Sequence, residues 1–230
     1  MSGNKMINTS KTMKLWNKVQ EDSELGRTIL LGQINSHSLW KDPKHLGFTL
    51  SRYKFAAKML HDRKMIVDIG CGEGIGCLML KAETKAKIIG VDLDSEQISY
   101  ANENIKPLGG VDFICQDLVN EKIGIDGVDG LVSIDVLEHI HHDEEEKFLT
   151  NTLSCLTENA VAVFGTPTIY SQEHMAKRSQ IGHINLFDEE RLKNTLLKYF
   201  SYVFVFSMND EMVHTGFPKM AHYFMALCCK

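Results

Sequence analysis

The run Val67-Asp68-Ile69-Gly70-Cys71-Gly72-Glu73-Gly74-Ile75-Gly76 joins a β-rich apolar stretch to glycines at alternate positions and then to an apolar helical pattern. Glycines so spaced let the backbone turn tightly and leave no Cβ where a ligand must approach the start of the helix. A chain with this turn is constrained to a layered α/β fold with a ligand seat above its first strand. A dinucleotide fingerprint reads Gly-x-Gly-x-x-Gly, and Ile75 stands where its third glycine belongs. The acid before the loop, Asp68, repels a pyrophosphate but can accept from an ammonium group.

From Met65 onward, short β-rich runs alternate with helical patterns, as in a sheet covered on both faces. The expected strands are 65–69, 87–91, 111–115, 130–134 and 160–164, with helices at 75–83, 95–105 and 144–156. Right-handed crossovers make such a sheet doubly wound and mostly parallel. After Gly165 the rhythm breaks. Residues 166–186 read as an insertion over the active face, 188–198 as a helix, and 202–208 and 221–228 as an antiparallel hairpin at one sheet edge. The expectation is therefore an α/β, doubly wound, seven-stranded sheet. Residues 1–61 form a helical cap within the same domain and residues 62–230 form the ligand-binding core. At 230 residues, 43% hydrophobic and 24% charged, the chain fits one ordinary domain.

Two further acids fall where strands should end. Asp92, in Gly90-Val91-Asp92-Leu93-Asp94, can take both hydroxyls of a ribose, and Asp117, in Gln116-Asp117-Leu118, can receive an adenine amino group. S-adenosyl-L-methionine (SAM) carries a ribose, an adenine and an ammonium, and no phosphate.

At this point the chain resembles a known family. The stretch 68–76, Asp92, Asp117 and Ser133-Ile134-Asp135-Val136-Leu137-Glu138-His139-Ile140 look like the successive motifs of class I SAM-dependent methyltransferases, small-molecule enzymes similar to the ubiquinone O-methyltransferase in particular. The resemblance covers about 65–164 and implies a Rossmann-like methyltransferase fold, SAM as cofactor and S-adenosyl-L-homocysteine (SAH) as product. It assigns cofactor contacts to Asp68, Gly70, Cys71, Gly72 and Gly74 in the loop, to Asp92 with Leu93, to Asp117 with Leu118, and to Ser133. It also places Arg52, in the helix before the first strand, against the cofactor carboxylate.

Methyl transfer is an in-line displacement, so orientation supplies much of the catalysis and a base is optional. His183, in Gly182-His183-Ile184-Asn185-Leu186-Phe187, is the first candidate base, with His139 second and His174 a weaker form of the same idea. A loop histidine satisfied by backbone groups is an equal reading of His183. In ubiquinone-type enzymes Asp135, Glu138 and His139 look like a divalent-metal set. A metal is nevertheless not favoured, because acids and imidazole at a helix start also suit its cap and dipole. The run 141–147 reads as a helix start capped by Asp143. Trp40 and Tyr53 in the cap, with Tyr170 and His174 in the insertion, are the candidate acceptor contacts, although Trp40 and Tyr53 equally suit core anchors.

The net charge of −5 and the absence of a basic block disfavour a nucleic-acid substrate, and no Asn-Pro-Pro-Tyr motif follows the fourth strand. Residues 1–20 are polar and lysine-bearing, unlike a signal peptide or a membrane span, so the expected location is the cytoplasm. Six scattered cysteines without a CxxC pair fit reduced, buried thiols. The partner expected is a small-molecule acceptor, with the oligomeric state open and a homodimer among the arrangements. A non-catalytic SAM-binding or partner-binding module and a nucleotide-cofactor oxidoreductase stand as alternatives.

Overall fold

The computed structural model describes residues 10–22 and 29–230. The chain divides into two units, Met1–Leu30 and Leu31–Lys230. Within the first, α1 (Lys11–Asp22) begins at Ser10, whose hydroxyl accepts from the Met13 N–H at 3.1 Å. Of the cap expected over 1–61, only α2 (Gln33–Lys41) and α3 (Pro43–Met59) lie in the larger unit. Asp42 caps α3, accepting from the Lys44 N–H at 3.3 Å, and Pro43 opens it with its φ already set for a helix.

The larger unit is built on β1 (Met65–Ile69), β2 (Lys87–Asp92), β3 (Val111–Cys115), β4 (Val128–Ile134), β5 (Leu156–Pro167), β6 (Tyr202–Asn209), β7 (Met212–His214) and β8 (Tyr223–Cys229). These make one eight-stranded sheet in the order β3-β2-β1-β4-β5-β8-β6-β7. The first five strands run parallel, and β8 lies antiparallel to both β5 and β6. Two expectations need correction. The sheet has eight strands and not seven, because the three residues of β7 are too few to show a period. The last two strands expected do pair, from Tyr202↔Cys229 to Met208↔Tyr223, but β8 is interior and the edge hairpin is β6 with β7.

The helices α4 (Ile75–Glu83), α5 (Ser95–Asn104), α6 (Glu145–Leu153) and α8 (Glu189–Leu196) fall close to the helical spacings in the sequence. Asp94 caps α5 through the Glu96 and Gln97 N–H groups, and Asp188 caps α8 through Arg191. Asp143 does not cap α6: Glu144 holds that position without a side-chain bond, and the acids of the first turn are Glu145 and Glu146. The irregular stretch 166–186 resolves into the end of β5, a 3₁₀ turn at Ile169–His174 and the short α7 (Lys177–Gly182). Asn185 pins it in place, its N–H donating to the Glu138 carbonyl at 3.0 Å and its side-chain amide to Glu145 at 2.8 Å.

Alternation along β1 builds the two halves of the core. Val67 and Ile69 join one apolar cluster, while Ile66 joins the cluster formed with α3 and α4. Asp68 has the parity of Ile66 and faces the same helices. There Tyr53 packs so tightly on the backbone of α4 that a Cβ at Gly76 would lie 2.0 Å from its ring. Gly76→Ala is expected to lower stability by about 1–3 kcal/mol through overpacking. Urea unfolding with an unchanged slope checks this, and a wild-type midpoint would show that α3 can shift away without cost.

Candidate cofactor and acceptor site

The strand order reverses between β1 and β4, so a crevice opens above the carboxyl ends of the parallel strands. A cavity of about 470 Å³ lies there, lined by Gly70, Gly72, Asp92, Leu93, Asp117, Leu118, Asp135 and His139 among others. All three loop glycines have positive φ, at 72° for Gly70, 54° for Gly72 and 83° for Gly74. At Gly70 an added Cβ would also stand 2.2 Å from Val136, so conformation and space both demand glycine.

The loop is tied to β2 by its backbone. The Gly70 N–H donates to the Val91 carbonyl at 2.8 Å, and the Gly72 N–H to Asp92 Oδ2, also at 2.8 Å. Asp92 Oδ1 accepts from the Asp94 N–H at 2.9 Å. Each carboxylate oxygen thus has one backbone donor and keeps accepting capacity for a ligand. Asp117 accepts from Asn120 and from the Val119 N–H, and these bonds, led by the one from Asn120, hold its carboxyl below the usual range.

Other expected contacts lie elsewhere. Asp68 is fully buried, outside the cavity lining, and accepts from the Tyr53 hydroxyl at 3.2 Å and the Cys77 thiol at 3.3 Å. Burial raises its pKa to about 7, against the pull of these two donors. Tyr53, 4% exposed, is accordingly placed as a core anchor, outside the cavity lining. Arg52 places Nη1 at 3.0 and 2.7 Å from the two oxygens of Asp135 and its guanidinium 3.8 Å from the Tyr223 ring centroid. It therefore stands one residue behind the cavity wall. Asp135 itself has φ of 58°, a conformation few non-glycine residues hold without support.

Cys71 is buried. Against a hydrogen bond from Cys77, burial and the charges of Asp68 and Asp92 hold its thiol above its ordinary value. Ser133 is buried without a partner for its hydroxyl and does not line the cavity. Trp40 is 83% exposed, and Tyr170 and His174 sit on the 3₁₀ turn of the insertion; none of the three lines the cavity.

The two candidate bases come together. The His139 and His183 rings meet edge to face, with centroids 4.9 Å apart. His139 Nδ1 lies 2.9 Å from the Gly182 carbonyl, which can only accept, so Nδ1 is the protonated nitrogen of this bond and Nε2 is the one turned away from it. Nε2 is 4.0 Å from Glu138 Oε1, a fully buried oxygen without a hydrogen-bond partner. Glu138 Oε2 accepts from Thr166 at 3.1 Å, while burial, with Asp135 nearby, pushes this carboxyl well above the usual range. Burial and His139 both lower the pKa of His183, which favours its neutral form. Ligand atoms of Glu138, His139 and His183 lie within 4.8 Å of one another. His183 thus takes the place that the sequence gave to Asp135, which is engaged by Arg52.

A sheet whose strand order reverses at β1, a glycine loop with left-handed backbone angles and an acid closing the second strand define a Rossmann-like fold with its ligand crevice. Residues 66–159 match the family model described as a methyltransferase domain. A ribosomal protein L11 methyltransferase of Thermotoga neapolitana is 35% identical over 89 residues, 38% of this chain and only 32% of that relative. Among solved structures, the plantazolicin methyltransferase BpumL in complex with SAH aligns with a TM-score of 0.66 at 15% identity, over 86% of this chain and 89% of the other. The N-methyltransferase NodS from Bradyrhizobium japonicum, also with SAH, gives 0.62 at 14% identity, over 84% and 90%. At those identities the structures establish the fold. No helix among the described residues is long and apolar enough to cross a membrane.

The state of Asp68 is testable. A folded pKa of about 7 against a usual 3.8 means that the folded protein holds a proton the unfolded chain releases. That contribution to stability is complete below about pH 3.8 and is lost as pH rises through 7. The wild type should therefore lose stability relative to Asp68→Asn between pH 4 and 7.5, on the order of a few kcal/mol. Parallel urea titrations check this, and identical pH profiles would show that Asp68 is ionised throughout.

Proposed function

We propose that this chain transfers the methyl group of SAM to an oxygen or nitrogen of a small-molecule acceptor and releases SAH. The observation that carries this reading is the hydrogen bond from the Gly72 N–H to Asp92 at the lip of the cavity. It holds beside the glycine loop, on the cavity wall, a carboxylate with accepting capacity left for the hydroxyls of a ribose. The residues present fit SAM: Gly70 and Gly72 bring loop backbone to the cavity wall, Asp92 accepts from hydroxyls, Asp117 accepts from an amino group, and Leu93 and Leu118 offer apolar cover. The volume of about 470 Å³ suits a ligand of that size. SAM supplies a sulfonium-bound methyl group ready for displacement.

What the chain itself contributes is orientation and proton handling. Arg52 holds Asp135, and with it the turn whose Val136 packs against Gly70. His183 and His139 form the basic pair beside the cavity, each able to accept a proton from an acceptor hydroxyl or a methylated amine. The alternation Gly70-x-Gly72-x-Gly74 speaks against the oxidoreductase reading. The L11-methyltransferase match, at 89 residues, is too short to carry that relative's protein acceptor to this chain. Here α2 and the insertion at 166–186, both outside the family match, flank the site and would select the acceptor.

A second reading has one specific observation in its favour. Glu138, His139 and His183 could hold a divalent cation, which would supply Lewis-acid polarisation of an acceptor oxygen. The backbone carbonyl that orients His139 through Nδ1 is the kind of support a metal-bound imidazole has.

Calorimetry with SAM and SAH, with and without chelator, tests the first reading. Wild type should bind SAH regardless of chelator, and Asp92→Ala should bind it at least roughly tenfold more weakly, about 1.4 kcal/mol. No binding by the wild type would defeat the cofactor assignment. His183→Ala should leave SAH binding intact and lower kcat roughly 100- to 10,000-fold once an acceptor is found. Turnover abolished by chelator and restored by Mn²⁺ or Zn²⁺ would select the metal reading, and chelator-insensitive turnover the simple base.

A further inference from the structure

One acid of the glycine loop has no part in the chemistry above. Glu73, between Gly72 and Gly74, is 6% exposed, and its carboxylate is taken up by the start of α2. Oε1 accepts from the Ile34 N–H at 2.7 Å, and Oε2 accepts from the Asn35 N–H at 3.0 Å and the Asn35 side-chain amide at 2.6 Å. The residue before the helix, Gly32, supplies no side-chain cap. Glu73, remote in sequence, thus satisfies donors that a local cap residue would normally satisfy, and its charge opposes the positive end of the helix dipole. Gly32 is shaped for it: a Cβ there would lie 2.2 Å from Glu73 Cδ.

The helix so held packs chiefly on α3 among the helices and buries none of its own residues, so its position relies on few apolar contacts. Yet Ile34 in its first turn is one wall of the cavity, facing the same space as Gly70, Gly72 and Asp92, and is 42% exposed. The loop that seats the ligand and the helix that walls it are therefore joined by one carboxylate.

We infer that Glu73 is a positioning residue that couples the cofactor loop to α2, so that α2 closes over bound cofactor and holds it in the cavity. This rests on the proposed SAM site. By linkage, a docked α2 that tightens cofactor binding must itself be steadied by the cofactor, through the Ile34 surface that the ligand covers. Opening α2 at Glu73 is then the route by which product leaves.

The test uses the full chain. Glu73→Gln keeps the size but turns an NH₂ group toward helix donors where the wild type offers an oxygen. SAH affinity is measured by calorimetry, SAH dissociation by competition in stopped flow, and backbone hydrogen exchange over 31–41 with and without SAH. In the wild type, SAH should slow exchange over 31–41. In Glu73→Gln, SAH should bind roughly tenfold more weakly, chiefly through faster dissociation, and exchange over 31–41 should be fast with or without ligand. A role confined to fold stability would shift the urea midpoint and leave the ligand-dependence of exchange as in the wild type. Asn35→Ala removes one of the three bonds and should move dissociation the same way by a smaller factor. It carries the test if Glu73→Gln does not fold. Wild-type affinity and dissociation in a folded variant would overturn the coupling. A wild type that binds no SAH would overturn the cofactor reading itself, and a wild type that binds SAH without protecting 31–41 would overturn the coupling alone.

Discussion

The hydrogen bond from the Gly72 N–H to Asp92 is the constraint on which the rest of the site depends. It joins the first strand-to-helix turn to the end of the second strand, two places brought together by the parallel pairing of β1 with β2. The loop can reach Asp92 only because three glycines accept left-handed backbone angles, and it can lie flat only because no Cβ at Gly70 pushes Val136 away. Val136 in turn follows Asp135, whose own left-handed turn is gripped by Arg52 from α3. Loop, strand end, turn and helix therefore share one chain of contacts, in which the lone pairs left on Asp92 are the part offered to a ligand.

Behind that chain lie several buried polar groups. Arg52 Nε, Ser133 Oγ, Glu138 Oε1 and Tyr223 Oη are all buried without a hydrogen-bond partner among the described residues. Unsatisfied groups of this kind are costly in an ordinary core and are found where a structure keeps chemistry in reserve. Arg52, Tyr223 and Glu138 all feel the charge of Asp135, and Glu138 also stands 4.0 Å from His139. Glu138, whose carboxyl is held far above its usual range, can serve as a hydrogen-bond donor where an ionised acid could only accept.

Much of the fold was legible because it is written in local periods. The β1 to β5 strands and their helices follow alternations of two and of about 3.6 residues that survive without tertiary context, and the glycine spacing marked the ligand seat. What the sequence could not show depends on parity and distance. Asp68 shares its face of β1 with Ile66, a relation readable from the sequence, but which face meets α3 and which the crevice is a tertiary fact. Arg52 was expected at the cofactor and meets Asp135, 83 residues away. His139 and the stretch bearing His183 converge through a bond spanning 43 residues, and Glu73 meets α2 across 38 and 39. The β7 strand is too short to have a period, and the interior placement of β8 follows from which edge β5 leaves open.

That placement has a consequence in time as well as in space. Strand β8 fills the gap between β5 and β6, pairing along Val161–Cys229 on one side and Tyr202–Cys229 on the other. During synthesis, β5 can join β4 as soon as both have emerged, yet its other edge has no partner until residues 223–229 are made. For some sixty residues of elongation, between Pro167 and Tyr223, the growing sheet presents a bare, apolar, hydrogen-bonding rim that includes Val161, Val163 and Gly165. Such a rim can recruit a neighbouring chain, so the nascent sheet is open to misassociation until β8 arrives.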